Sequence, residues 1–244
     1  MPMLGGLLAG LVDLIYPKVC VVCKNRLGDK TAVEQLLCAS CWGKIKMNLP
    51  PFCYRCGRHL EKPAWHKNIC AACLKRPPAF DRAFAPCVYE GVVKELVHAF
   101  KYSGKDYLGT LLSRPMIEFI KEYRFPLEYL DLIVPMPLHK ARLREREFNQ
   151  AEILSNRIAE EFHKRVITDA LVRRRNTKTQ TDLKDAERFL NVKDSFAIAR
   201  AEAIAGKNIL LVDDVLTTAA TASEAAGTLK AAGAKIVFVL TIAN

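Results

Sequence analysis

Residues 209–212 (ILLV) form a run of four apolar side chains that ends abruptly on two adjacent carboxylates, Asp213 and Asp214. A run this short, without polar alternation, fits a strand buried on both faces, as in a parallel sheet covered by helices. A small, hydroxyl-rich turn follows at 217–221. A helical pattern then runs from 222 to 232, and Gly233 ends it. Ligands of open α/β sheets bind beyond the carboxyl ends of strands, where loops and helix N-termini converge. The stretch thus points to an α/β fold and to one corner of it as a candidate site.

The chemistry of that corner follows from residue type. Thr217, Thr218, Ala219, Ala220 and Thr221 are small enough for backbone N–H groups to approach an anion, and the helix N-terminus adds partial positive charge. The two acids can accept hydrogen bonds from sugar hydroxyls, directly or through magnesium. A ligand with a ribose next to a 5′-phosphate satisfies both. The plainer alternative is a buried strand whose end carries two solvated acids. Paired acids and a phosphate-type turn occurring together favour the site.

Written as ILLV-DD-VLT-TAAT, the stretch resembles the phosphoribosyl diphosphate (PRPP) motif of type I phosphoribosyltransferases. The resemblance implies that Asp213 and Asp214 face the ribose hydroxyls. It also implies that residues 217–221 wrap the 5′-phosphate. Ala219 departs from the pattern, because glycine is usual there. If the position requires a positive φ, alanine is strained by ~1 kcal/mol or more.

The other organising feature is cysteine. Eight of the nine fall in four CxxC pairs: Cys20/Cys23, Cys38/Cys41, Cys53/Cys56 and Cys70/Cys73. This is metal-ligand spacing and indicates a reducing compartment, not a disulfide scaffold. Gaps of fourteen and thirteen residues separate the pairs within each half, which suits two zinc ribbons, with Gly28 and Gly57 permitting turns after the knuckles. So short a segment has little core of its own, and Zn2+ supplies folding free energy directly. Sequential pairing gives one site from Cys20, Cys23, Cys38 and Cys41 and another from Cys53, Cys56, Cys70 and Cys73. Interleaved pairing remains open at this level. Four thiolates leave no vacant position, so both sites are expected to be structural.

Charge adds a partner class. The chain carries a formal +11, and residues 17–76 hold twelve Lys/Arg against three acids. Zinc-bound thiolates remove part of that surplus, and the remainder suits a polyanion. Trp42, Tyr54 and Trp65 lie among these basic residues, either as stacking platforms or as ribbon core.

Pro77-Pro78 marks a linker. The expected organisation is an N-terminal helix at 1–17, a double zinc ribbon at 18–76 and an α/β domain at 79–244. The apolar N-terminus lacks a basic leader and is too short to span a membrane, which places the protein in the cytoplasm. Further strands are expected within 80–90, 132–137, 166–172 and 235–242, with helices at 92–100, 107–123 and 149–163. Lys101 and Lys105 are exposed candidates for an anion contact. Arg142, Arg144 and Arg146 alternate beyond the second strand. An extended backbone would place all three on one side, with Arg142 and Arg144 gripping a pyrophosphate; a charged helix start is the alternative. Residues 173–193, with seven Lys/Arg against three acids and no hydrophobic period, read as a loop that could lid the ligand.

Taken together, the chain resembles the ComF family. These are competence-type, amidophosphoribosyltransferase-like proteins with an N-terminal double zinc ribbon. The resemblance rests on DLIYPKVCVVC, FKYSG at 100–104, VPMPLHKARLREREFNQA at 134–151, RRRNTKTQTDLKDAERFLNV at 173–192 and the PRPP motif. Glu147 departs from it, since glycine usually precedes the Phe-Asn-Gln. The resemblance implies a type I phosphoribosyltransferase-like parallel sheet and PRPP bound with Mg2+. It implies a role in natural transformation, with single-stranded DNA and competence or recombination proteins as partners. It does not decide whether a phosphoribosyl group is transferred; a non-catalytic protein that senses PRPP and binds nucleic acid or partners through its ribbons is the competing reading.

Overall fold

The computed structural model describes residues 17–28, 32–62, 68–102, 104–123, 125–177 and 185–244. The helix expected at 1–17 falls outside them except for Pro17, as do Trp65 and residues 178–184 of the basic segment.

The two halves of the cysteine region repeat one device. In the first, the Cys20 amide donates to Asn25 O at 2.8 Å and the Lys24 amide to Cys20 O at 2.9 Å. In the second, Cys53 donates to Arg58 O at 2.7 Å and Gly57 to Cys53 O at 2.9 Å. Each turn needs a left-handed residue, and these are Lys24 (φ 63°) and Gly57 (φ 71°). The turn glycine expected in the first half, Gly28, is therefore not the one at this position; Lys24 occupies it instead. The hairpin β1 (Ala32–Val33)–β2 (Leu37–Cys38) leads into α1 (Ala39–Trp42), and α2 (Ala71–Lys75) closes the second half.

The second half is joined to the sheet by backbone. A Cβ on Gly57 would stand 2.4 Å from Ala83 O, so only glycine allows this approach. The Ala83 amide donates to Arg55 O at 2.7 Å. Buried Asn48 donates to both Gly57 O and Ala85 O at 2.8 Å. These bonds satisfy polar groups that packing removes from water.

Four parallel strands form the central sheet, in the order β3 (Arg82–Phe84), β8 (Ile236–Leu240), β7 (Asn208–Val212), β4 (Leu132–Pro135). The run at 209–212 is buried on both faces, as its composition requires. Leu210 and Val212 join the core built with α3 (Gly91–Tyr102), α4 (Leu108–Glu122) and α6 (Gln150–Phe162). Ile209 and Leu211 join the core under α8 (Ala220–Ala231). Gly109 is required where α4 meets α6, since a Cβ there would lie 2.3 Å from Ile153 Cγ2.

Two regions differ from the sequence reading. The segment after β4 is helical, α5 (Lys140–Arg146), with His139 Nδ1 accepting from the Ala141 amide at its start. The basic segment is not all loop. It runs from β5 (Leu171–Arg173) through α7 (Asp185–Val192) to β6 (Phe196–Ile198), and β5 and β6 pair antiparallel outside the main sheet. No helix among the described residues is long and apolar enough to cross a membrane.

Candidate functional site

The site lies at the carboxyl ends of β7 and β4. The Asp213 amide donates to Leu240 O at 3.1 Å, and Asp214 O accepts from the Ile242 amide at 3.0 Å. These bonds carry the strand pairing one step past β7 and hold both acids at its mouth. Asp214 is buried, and its Oδ2 lies 2.9 Å from Lys101 Nζ. Lys101 comes from the last turn of α3, where the helix dipole favours a cation. Burial opposes the Lys101 charge, but Asp214 outweighs it and raises the lysine's pKa. Asp213 accepts from the Asp214 amide at 2.9 Å. Burial first, and the neighbouring Asp214 second, push the Asp213 carboxyl up to about 7.

In front of the two acids opens a cleft of about 380 Å³. Four guanidinium groups line the same cleft: Arg142 and Arg146 from α5, Arg173 from β5 and Arg188 from α7. No other carboxylate lines it among the described residues. Arg146 Nε and Arg173 Nε are buried without a hydrogen-bond partner. Burial lowers the Arg173 pKa, Asp213 raises it, and Arg142 and Arg146 lower it further.

The extended reading of 140–146 is corrected here. On a helix, residues four apart share a face. Arg142 and Arg146 therefore enter the cleft together, while Arg144 is exposed and does not line it. Lys101 is likewise ion-paired inside the cleft, not an exposed cation, and Lys105 is not part of the lining.

The turn at 217–221 is shared between two clefts. Thr217 and Thr221 line the first. Thr217, Thr218 and Ala219 line a second, also of about 380 Å³, between this turn and the second cysteine half. Ala220 is buried as the first residue of α8. Ala219 caps that helix at φ 63°, the left-handed conformation that glycine holds without strain. Glu147 ends α5 at φ 68° in the same way. Both departures from the ComF pattern thus place a side chain where the backbone favours none.

Asn149 and Gln150 are supports that sequence reasoning did not assign. Asn149 Oδ1 caps α6 through the Ala151 amide, and its Nδ2 donates to Met136 O at 3.1 Å. Buried Gln150 donates to Phe100 O at 3.1 Å, tying α6 to the helix that carries Lys101. The aromatic residues Tyr89 and Tyr102 also line the cleft, the latter under the Arg146 guanidinium at 5.2 Å. Only the Phe-Asn-Gln string, a capping residue before an apolar helix face, could have signalled the first pair.

The cysteines gather sequentially, Cys20, Cys23, Cys38 and Cys41 in one set and Cys53, Cys56, Cys70 and Cys73 in the other. Within each, the Sγ atoms lie within 4.8 Å of one another; Cys23–Cys38 is 3.8 Å and Cys56–Cys70 is 3.7 Å. Tetrahedral zinc with Zn–S near ~2.3 Å sets neighbouring sulfurs ~3.8 Å apart, so the donor sets fit that ion. Backbone amides already face the sulfurs, as Cys70 N does Cys53 Sγ at 3.3 Å, an arrangement that favours thiolate. Cys87 stands apart, fully buried, with burial pushing its thiol up to about 12.

Comparison with known proteins gives two domain matches. The double zinc ribbon domain matches residues 11–76, and the phosphoribosyl transferase domain matches residues 149–244. Competence protein F of Haemophilus influenzae is 27% identical over 92% of this chain and 96% of its own length. DNA utilization protein YhgH of Escherichia coli is 29% identical over the same shares. Competence protein ComFC of Bacillus subtilis is 28% identical over 85% of this chain and 86% of its own. Among solved structures, a B. subtilis glutamine PRPP amidotransferase aligns with a TM-score of 0.35 at 18% identity, over 57% of this chain and 26% of that one, too distant to carry an argument.

Proposed function

Because this chain belongs to the ComF family, with a double zinc ribbon preceding a phosphoribosyltransferase domain, we propose that its cleft binds PRPP with magnesium and that the protein serves the handling of single-stranded DNA in the cytoplasm. The observation that carries the PRPP reading is the gathering of two kinds of group in one cleft, the carboxylates Asp213 and Asp214 and the guanidinium groups of Arg142, Arg146, Arg173 and Arg188. A polyanionic sugar has the matching layout, with a diol for the acids and phosphate oxygens for the guanidinium groups.

In this reading the acids hold the ribose hydroxyls. Two carboxylates with substrate oxygens make up a magnesium site, since that ion is usually held by one or two carboxylates plus phosphate oxygens and water. Thr217 and Thr221, with the N-terminus of α8, take the 5′-phosphate, and Arg142 with Arg146 takes the pyrophosphate. Arg144 has no place in this set. Transfer at the ribose would form a bond from C1 to a nucleophile as the C1–O bond to pyrophosphate breaks, with the electron pair leaving on pyrophosphate. Magnesium supplies charge neutralisation at that leaving group. The arginines position and stabilise it.

Isothermal calorimetry tests the reading. PRPP with magnesium should give a saturable heat with the wild type, lost in the double variant Asp213→Ala, Asp214→Ala. Absence of heat in the wild type, or unchanged heat in the double variant, overturns it.

A further inference from the structure

The second cleft has no part in the ribose chemistry, yet it is built. Its walls come from three places: the second zinc ribbon (Cys56, Arg58, Lys75, Arg76), helix α7 (Phe189) and the back of the phosphate turn (Thr217, Thr218, Ala219). The Arg76 guanidinium lies 4.2 Å from the centre of the Phe189 ring. Arg58 Nη2 donates to Thr217 O at 3.1 Å. Thr218 Oγ1 is buried with no hydrogen-bond partner. Leu216 and Pro78 add apolar wall.

We propose that this cleft is a binding site for single-stranded nucleic acid, with one base stacked on the Arg76–Phe189 pair and the flanking phosphates on Arg58 and Lys75. The proposal rests on the nucleic-acid part of the function given above and assigns it a place.

Charge and shape select this ligand class. No carboxylate lines the cleft among the described residues, which disfavours a basic peptide. The volume of about 380 Å³ is near the low end for small-molecule sites, ~300–1,000 Å³, which suits a single nucleotide unit more than a folded element. Simple anion trapping is too weak an account. A zinc ion with four thiolates carries a net charge of about −2, and three of those sulfurs (Cys56, Cys70, Cys73) line the same cleft. They offset much of the three cations, so phosphate attraction needs help from stacking. Stacking of a base on an aromatic face contributes ~1–3 kcal/mol and is tolerant of sequence. A polymer also brings neighbouring phosphates to the basic ribbon surface outside the cleft, which a free nucleotide cannot.

Helix α7 gives the arrangement its logic. Arg188 faces the first cleft and the next residue, Phe189, faces the second. Thr217 lines both. The strand would therefore lie across the wall that separates it from the sugar-phosphate site, without entering that site.

Fluorescence anisotropy with a short labelled oligothymidylate tests this on the full zinc-loaded protein. Phe189→Ala and Arg76→Gln should each weaken binding by ~5- to 150-fold. Phe189→Trp, which keeps a stacking face, should retain it. Lys75→Gln, which removes a phosphate contact, should flatten the slope of log affinity against log salt by ~0.7. Thymidine monophosphate should compete far less well than the strand. Unchanged oligonucleotide affinity in both weakening variants, with zinc content and melting temperature intact, overturns the site while leaving a DNA role elsewhere on the protein. No strand binding by the wild type overturns both. Loss of PRPP heat in the wild type, with the variant effects on the strand preserved, sinks the PRPP reading alone.

Discussion

Lys101 Nζ stands 2.9 Å from Asp214 Oδ2 at the mouth of β7, so the ligand-free cleft already holds a cation against one of its two acids. Both side chains are mostly buried, at 21% and 13% exposure. Removing one partner of such a pair leaves the other charge desolvated and unanswered. Lys101→Met should lower stability by about 1–3 kcal/mol, read as a drop in denaturant midpoint. Asp214→Asn in the same background should recover part of the loss, because it removes the stranded charge. Equal stability of Lys101→Met and wild type would show that the pair is exposed in solution.

Asp213 gives a pH signature. Its folded pKa is raised to about 7, chiefly by burial and then by Asp214, while the unfolded carboxyl titrates near its ordinary value of 3.8. Between those values the folded state holds a proton that the unfolded state has lost. Stability therefore falls as pH rises from about 4 through about 7, and the contribution is constant above that. Asp213→Asn should flatten this decline in thermal melts taken without ligand. PRPP–magnesium affinity should move the other way, rising towards and through pH 7, because the ligand needs the ionised carboxylate.

The parallel sheet and the zinc tetrads were legible because each rests on a local rule. The run at 209–212 can only be buried on both faces, and CxxC spacing places two sulfurs on one turn. The first part of the site was legible for the same reason: Asp213 and Asp214 are fixed by the strand end next to them. The arginine wall was not. Alternation of Arg142, Arg144 and Arg146 fits a strand, but His139 caps a helix there and rotates Arg144 away from the cleft. Helix α7 was missed because its few large apolar residues have divided surroundings, Phe189 against Arg76 of the second ribbon, Val192 buried and Leu190 exposed, so no single apolar stripe marks it. Lys101 is brought in by α3, and nothing near it in sequence marks its partner as Asp214.

Ala219 and Glu147 hold left-handed conformations, at φ 63° and 68°, that cost a residue with a Cβ ~1 kcal/mol. Ala219→Gly and Glu147→Gly should each therefore leave stability unchanged or raise it by up to ~1 kcal/mol, the gain being reduced by the greater freedom of glycine in the unfolded chain. Ala219→Gly should leave PRPP affinity nearly unchanged, since the turn already holds φ 63° without ligand and the strain is common to free and bound states. Calorimetry on the two variants separates the effects, because Glu147→Gly also removes a negative charge next to the arginine helix. A marked loss of stability in either would mean that the alanine or glutamate side chain makes contacts that outweigh backbone relief.

Zinc should matter unequally to the two tetrads. The second ribbon is bonded to the sheet edge, the Ala83 amide donating to Arg55 O and the Asn48 side-chain amide donating to both Gly57 O and Ala85 O. It also reaches the phosphate turn through Arg58. Collapse of that ribbon removes the partner of the Ala83 amide on β3 and frees Thr217, which lines the first cleft. Cys53→Ser should therefore reduce amide exchange protection along β3 and weaken PRPP binding, whereas Cys20→Ser should leave both nearly as in the wild type. Hydrogen exchange and calorimetry on the two variants, with zinc content measured in each, decide the point. Equal protection of β3 in both would show that the sheet edge stands without its ribbon.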